Sequence, residues 1–210
     1  MSAKQHRLLL FLLFVPVFTF AQDVRKGAYG NLAIGYGTYL LDLYSYSGGS
    51  NLYNDQTFSG LILSVGFEKK SAWQKNKLVF DVGGELTGGF GINIDSKASG
   101  NISGESNSGY ALGVNGLLKM GYLFGKDEGT IVPLIGVGPY FTYINTGGEE
   151  AVGNYIYGLQ ASLGVDFRIR RFVLTPEIHF GFASWGASDE MEQNGQSGML
   201  EVKIKIAKQF

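Results

Sequence analysis

The chain of 210 residues contains no cysteine, so disulfide frameworks, thiolate chemistry and lipid-modified cysteines are all excluded. Charged residues make up only 17% of the chain, below the usual quarter, and their formal sum is −1. This balance argues against nucleic acid as a partner, because nucleic-acid-binding domains usually carry a clustered basic surplus. Proline occurs only 4 times and the glycines follow no regular period, which excludes collagen-like and proline-rich disordered chains.

Long apolar runs are absent after residue 21. The first 21 residues have the features of an export signal, since a basic start is followed by the apolar run Leu8–Phe20 and a small-x-small cleavage site. That run is shorter than the roughly 20 apolar residues of a spanning helix, although an uncleaved anchor is the alternative. We predict a signal peptide at 1–21, cleavage near Ala21 and Gln22, and one domain at 22–210. Such a domain can enter a membrane only as a β-barrel.

Glycine is abundant, at 32 of 210 residues, and tyrosine and phenylalanine recur in segments where apolar and polar residues alternate. Alternation with a period of two is typical of a β-strand with one apolar and one polar face. Each segment is near or above the ~9–11 residues that a tilted strand needs to cross a bilayer. The eight segments are Ala28–Leu40, Ser59–Glu68, Leu78–Ile92, Tyr110–Phe124, Ile131–Ile144, Tyr155–Ile169, Phe172–Trp185 and Gly198–Phe210.

The connections between these segments alternate between long and short. Long polar connections follow the first, third, fifth and seventh segments, whereas shorter ones, including the tight Arg170-Arg171 pair, follow the others. An up-and-down barrel with both termini on one side has this alternation of connection lengths, with short periplasmic turns and long external loops. The sequence therefore predicts an all-β fold, an eight-stranded up-and-down antiparallel transmembrane β-barrel.

The two faces of the segments indicate which side meets lipid. Bulky apolar side chains lie on one face, and their aromatic members gather near both segment ends, as the two girdles of a membrane barrel do. The other face carries glycine and charges, which suits the crowded interior of a narrow cylinder. We predict that lipid lies outside and that a balanced polar network fills the lumen. Its members are Asp81, Glu85, Lys119, Asp166, Arg168, Glu177, His179, Glu201, Lys203 and Lys205.

The last segment alternates isoleucine with lysine and ends in phenylalanine. A slip of its register by one residue would expose Lys203 and Lys205 to lipid, at a cost of about 2–4 kcal/mol each at mid-depth. The segment resembles the carboxy-terminal signal that the barrel assembly machinery reads in Gram-negative outer-membrane proteins, although Lys208 departs from that pattern. The resemblance implies that this machinery is a partner. The matching residues are Val202, Ile204, Ile206 and Phe210.

A second motif lies in the stretch from Leu163 to Phe182. Gly164-Val165-Asp166, the turn Arg170-Arg171 and Thr175-Pro176-Glu177 follow one another there. The stretch resembles the PorT-like outer-membrane barrel family of Bacteroidetes, and the whole architecture is similar to the OmpA/OmpX-type scaffold. The resemblance implies an outer-membrane location, surrounded by outer-membrane lipids and lipopolysaccharide. It implies little about activity, since the member that lends the family its name is linked to protein secretion.

Three classes of function remain open. We expect a structural or interaction role, namely envelope integrity, adhesion or docking of an extracellular or periplasmic protein through the long loops. The alternatives are a lipid A-modifying enzyme and a small porin or secretion accessory. Enzymatic activity is not expected, because His179 and Ser184 lie on opposite faces of one strand and out of hydrogen-bond reach. No catalytic residue, metal ligand or cofactor is predicted.

Charged residues in the connections leave two further alternatives open. The loop acids could bind a divalent cation or lipopolysaccharide, although no spacing resembles a calcium motif, or they are simply solvated. The basic residues at the short turns either contact anionic headgroups or are solvated. The acids are Glu149, Glu150, Asp189, Glu190 and Glu192, and the basic residues are Lys69, Lys70, Lys75, Lys77, Arg170 and Arg171.

Overall fold

The computed structural model describes residues 27–47, 50–98, 101–103, 109–125, 130–145, 153–188 and 191–210, so the predicted signal peptide lies outside it. No helix in this part of the chain is long and apolar enough to cross a membrane. The described residues form strands joined by turns. The strands are β1 (Gly27–Ser47), β2 (Ser50–Lys75), β3 (Leu78–Ala98), β4 (Asn101–Ser103), β5 (Gly109–Tyr122), β6 (Thr130–Asn145), β7 (Gly153–Ile169), β8 (Phe172–Ser188) and β9 (Met191–Gln209).

Eight of these strands close into an antiparallel barrel, which confirms the predicted fold. Each pairs with its neighbours along the chain, β3 pairs directly with β5, and β1 pairs with β9 to complete the cylinder. The short β4 only extends the sheet beside the end of β3. We call the end that carries the turns Asn76–Lys77 and Arg170–Arg171 the turn end, and the opposite end the loop end.

The register shows how strongly the strands are tilted. Pairs followed once around the barrel lead from Ile144 back to Leu134 on the same strand, a displacement of ten residues. A displacement of this kind requires strands tilted by about 35–45°, and eight of them leave an interior just wide enough for side chains. The intermediate residues of this path are Ala111, Gly89, Ile62, Gly35, Lys203, Glu177 and Gly164.

The wall separates apolar from polar side chains. On β9, Ile204 and Ile206 are 53% and 55% exposed on the outer surface, whereas Lys203 and Lys205 are 1% and 0% exposed inside. The other barrel strands alternate in the same way, with leucine, valine and aromatic side chains outside. An outer surface of this kind is stable only in contact with hydrocarbon or another apolar partner.

Several strands extend further than predicted. β1 and β2 stay paired up to Ser47 and Ser50, so the stretch 41–57, predicted to be a long loop, is mostly a β-ribbon. β9 begins at Met191 within another predicted loop. Both predictions were wrong because polar residues were interpreted as a connection. In 41–57, tyrosine and threonine also suit strands.

The turn-end connection between β2 and β3 is also shorter than predicted. β2 continues to Lys75 and leaves only Asn76 and Lys77 between the two strands. The stretch 69–77 is therefore not a loop. Its strand pairing is irregular between Lys69 and Trp73, and this irregularity explains why the alternation in the sequence fades there.

Aromatic side chains form belts at two levels. At the loop end, the rings of Tyr143 and Tyr155 lie 5.2 Å apart, and at the turn end those of Tyr122 and Phe124 lie 4.9 Å apart. On β7, Tyr155 and Phe167 lie about 30 Å apart along the barrel axis, taking ~3.3 Å per residue and a tilt of about 40°. This separation matches the thickness of a bilayer core, which is about 30 Å.

Candidate functional site

The lumen is the most distinctive site of the barrel. The structure places all ten residues of the sequence-predicted polar network inside, each 3% exposed or less. They come from β3, β5, β7, β8 and β9, and they meet because their side chains point towards a common axis. The contacts fall into three layers along that axis.

The middle layer is built around two lysines. Lys205 contacts Glu68, and its Nζ lies 3.4 Å from Glu85 Oε1 and 3.2 Å from Glu177 Oε1. Lys119 Nζ lies 2.9 Å from Glu68 Oε1 and 2.8 Å from Glu177 Oε2. Two lysines and three glutamates from five strands are thereby cross-linked through the axis of the barrel.

The layer nearer the turn end is built around Asp166. Lys70 Nζ lies 2.9 Å from Asp166 Oδ2 and 2.9 Å from Glu68 Oε2. Arg168 Nη2 lies 3.4 Å from Asp166 Oδ2 and 3.8 Å from Asp81 Oδ2. The Thr175 hydroxyl donates to Asp166 Oδ1 at 2.7 Å. Asp166 is therefore neutralised from two sides and held by a neutral donor.

The layer nearer the loop end contains the only histidine of the described chain. Lys203 Nζ lies 2.7 Å from Glu85 Oε2 and 3.3 Å from Glu201 Oε2, and the Tyr39 hydroxyl donates to Glu201 Oε1 at 2.8 Å. His179 is fully buried, with Nε2 3.0 Å from Glu177 Oε1 and Nδ1 3.2 Å from Gln160 Oε1.

Glu68 and Lys70 belong to this network, and sequence reasoning missed both. Lys70 was assigned to a short turn, but it is 0% exposed and points into the lumen, so that assignment was wrong. The signal was present in the sequence, since Ser64, Glu68 and Lys70 share the parity of the inward face of β2. The assignment failed because the strand was ended at Glu68, whereas it continues to Lys75.

The buried charges are nearly balanced. Removing one partner of a buried ion pair leaves the other charge buried without a counter-charge, which typically costs about 3–5 kcal/mol. Interlocked pairs share each charge among several partners, so the network strongly favours a single arrangement of its side chains. The described lumen holds the carboxylates Glu68, Asp81, Glu85, Asp166, Glu177 and Glu201 and the cations Lys70, Lys119, Arg168, Lys203 and Lys205.

Apolar side chains fill the lumen at both ends of the ionic layers. This arrangement was not foreseen, because apolar residues were assigned to the lipid face. Within the described residues, the charged layers therefore lie between apolar clusters at the two ends of the lumen. The loop-end cluster is Tyr39, Leu41, Phe58, Ile92, Ala111, Tyr140, Ile144, Ile156 and Met199, and the turn-end clusters are Val79, Leu123, Val132 and Leu134 with Tyr29, Val173 and Ala207.

Other candidate chemistry is sparse in the residues that the structure describes. No group of three or more histidine, aspartate and glutamate side chains there could hold a metal ion. His179 faces the lumen rather than lipid, and the side chain of Ser184 lies outside the description. The loop acids Glu149, Glu150, Asp189 and Glu190 and the side chain of Glu192 also lie outside it.

The residues of the predicted assembly signal lie on the outer surface of β9 and at its end. Val202 is 49% exposed and Phe210 is 42% exposed, and Ile204 and Ile206 lie between them on the same face. Lys208, which departs from the pattern, places its Nζ 5.8 Å from the centre of the Phe172 ring. This cation–π contact gives the lysine a partner at the level of the turn-end belt.

Comparison with solved structures places the fold among small outer-membrane barrels. The chain is similar to the outer membrane protein OprG from Pseudomonas aeruginosa, with a TM-score of 0.56 and 13% identity over 89% of this chain and 97% of that one. It is also similar to Neisserial surface protein A, with a TM-score of 0.47 and 12% identity over 88% and 97% of the two chains. No family model matches the chain, and no curated protein matches it. The likeness to OprG shows the fold alone.

Proposed function

We propose that this protein is an outer-membrane β-barrel of a Gram-negative cell with a structural or interaction role. It contributes to envelope integrity, adhesion or partner docking through its loop end. The apolar outer surface and the fold shared with OprG support the membrane location. The resemblance of Leu163–Phe182 to the PorT-like family supports a Bacteroidetes origin, and the apolar segment at 1–21 supports export.

The observation that carries this proposal is the occluded lumen. Ion pairs at 2.7–2.9 Å, such as Lys203–Glu85 and Lys119–Glu68, link strands across the axis, and apolar clusters lie at either end. A pore would need a continuous hydrated path, and cross-linked charges flanked by apolar clusters in the described lumen do not favour one. We therefore assign the function to the surface of the barrel.

The loop end offers a surface of suitable size. β3 continues from Ile92, which is its last pairing with β5, to Ala98, and β1 and β2 continue to Ser47 and Ser50. Within the described residues, β5 and β6 pair up to Tyr110 and Asn145. The paired ends of β1, β2 and β3 form a sheet that can present residues beyond the membrane surface.

Two measurements test the proposal. Reconstituted in a planar bilayer, the protein should show no stable conductance, and a photo-crosslinker at position 53 should capture partners from outside intact cells. A sizeable stable conductance would instead establish a porin. Altered lipid A on deletion of the gene, restored by the wild type but not by His179→Ala, would establish an enzyme. A chain that stays monodisperse in buffer without detergent would refute the membrane location itself.

A further inference from the structure

At the turn end, the barrel wall separates buried negative side chains from exposed positive ones. In the described residues of this end, the carboxylates Glu68, Asp81 and Asp166 are all buried in the lumen, at most 3% exposed. The exposed charged side chains there are all cations. They are Lys69, Lys75, Lys77, Arg170 and Arg171.

The cations lie beside exposed aromatic rings. Lys77 Nζ lies 5.8 Å from the centre of the Tyr122 ring. Trp73, which is 50% exposed, packs edge-on against Phe80 with 5.2 Å between ring centres. Tryptophan and tyrosine prefer the level of the lipid headgroups, and lysine extends its ammonium to the same level. The position of the rings therefore fixes the depth of the positive charges at the headgroup layer.

The topology places the cations at two turns along one arc of the turn end. The β2–β3 turn carries Lys75 and Lys77, and the β7–β8 turn carries Arg171. The strands β8, β9, β1 and β2 connect the two turns without interruption, and Gln209 N donates to Arg171 O at 3.2 Å to hold the second turn against β9. Positive charge is thus presented at two turns of the same end, with the ends of β9 and β1 between them.

We propose that the turn end is a docking surface for anionic phospholipid headgroups, whose phosphates are bound by Lys69, Lys75, Lys77 and Arg171. This inference rests on the proposed membrane location and adds a specific lipid class to it. A cation near an anionic membrane surface strengthens binding by roughly fivefold, and several on one arc act together. The described carboxylate side chains at this end face the lumen, so anionic lipid is the counter-charge that we propose for the exposed cations.

The test uses the barrel reconstituted in phosphatidylcholine vesicles that contain a trace of spin-labelled lipid. The motionally restricted fraction is measured for labelled phosphatidylglycerol and for labelled phosphatidylcholine. The wild type should favour phosphatidylglycerol about five- to tenfold. The preference should fall towards unity in about 1 M salt, where the Debye length is about 3 Å.

Two matched variants separate charge from packing. The combination Lys69→Gln, Lys75→Gln, Lys77→Gln and Arg171→Gln should lose most of the preference. The charge-keeping combination Lys69→Arg, Lys75→Arg, Lys77→Arg and Arg171→Lys should retain it. Equal restriction of the two lipids by the wild type, or a preference that survives the glutamine substitutions, would overturn the inference. Failure of the wild type to insert into vesicles would refute the membrane location instead. The salt titration uses the wild type alone, so it tests the inference even where a variant fails to fold.

Discussion

The ring of Phe210 occupies the space above Gly30 across the seam between the last strand and the first. A Cβ atom at position 30 would lie 2.6 Å from Phe210 Cζ, and Phe210 N donates to Ala28 O at 3.0 Å. The terminal phenylalanine therefore packs where the first strand has no side chain, and this contact helps to close the barrel. The same residue lies in the predicted assembly signal, so recognition and closure would depend on one side chain.

Gly30→Val should therefore weaken closure of the barrel. The valine displaces the phenylalanine ring, which is 42% exposed and can move aside, so the cost should lie at the low end for overpacking, about 1 kcal/mol. The midpoint of urea unfolding in vesicles should fall accordingly. Gly116→Val is the matched control, because it lies on the same outer face and a Cβ there would meet nothing nearer than Gly83 O at 3.9 Å. Equal destabilisation by the two variants would show that the contact with Phe210 is not the cause.

The alternation of side chains explains why the strands and their faces could be predicted, and also why other features could not. Ile204 is apolar and its neighbour Lys203 is charged, so the sequence shows that they lie on opposite faces of the strand. Phe58 and Ile144 have the parity of the inward faces of β2 and β6, but they are apolar, so their chemistry alone does not distinguish them from lipid-facing residues. The apolar layer at the loop end emerges only when the strands are arranged around one axis.

The inward partners could be predicted as a group but not as pairs. Lys119 and Glu177 lie 58 positions apart in the chain, and they meet because the barrel brings β5 and β8 across a narrow lumen. Register and tilt decide such contacts, and neither can be obtained from one sequence. Lys70 could have been assigned to this group from its parity alone, had the strand been extended past Glu68.

Lys205→Met should be among the most destabilising substitutions in the lumen. It removes the cation shared by Glu68, Glu85 and Glu177. The three carboxylates then repel one another with only Lys70, Lys119 and Lys203 as counter-charges. Breaking a buried network in this way typically costs about 3–5 kcal/mol. Unfolding in zwitterionic detergent measures the loss, with the exposed Lys75→Met as the control. A loss below about 1 kcal/mol would mean that the carboxylates find other partners or bind protons.

Tyr39→Phe and Tyr36→Phe compare the two faces of one strand. Tyr39 is 1% exposed and donates to Glu201, whereas Tyr36 is 49% exposed on the outer surface. Loss of the hydroxyl at position 39 leaves a buried carboxylate oxygen without its donor, which should cost about 1–3 kcal/mol. The change at position 36 should stay within about 0.5 kcal/mol. Equal effects of the two variants would contradict the inward position of Tyr39.

The absence of cysteine makes the orientation of the wall directly measurable. Leu163 is 51% exposed on the outer surface and its neighbour Ser162 is 2% exposed inside, so Leu163→Cys and Ser162→Cys sample opposite faces of β7. In vesicles, a lipophilic maleimide should modify the thiol at 163, while a charged, water-soluble maleimide should modify neither thiol until urea unfolds the barrel. The thiol at 162 is protected by packing against the polar network, and the thiol at 163 by hydrocarbon. Rapid modification at 163 by the charged reagent in folded protein would place this face in water, and the assignment of lipid to the outer wall would then be wrong.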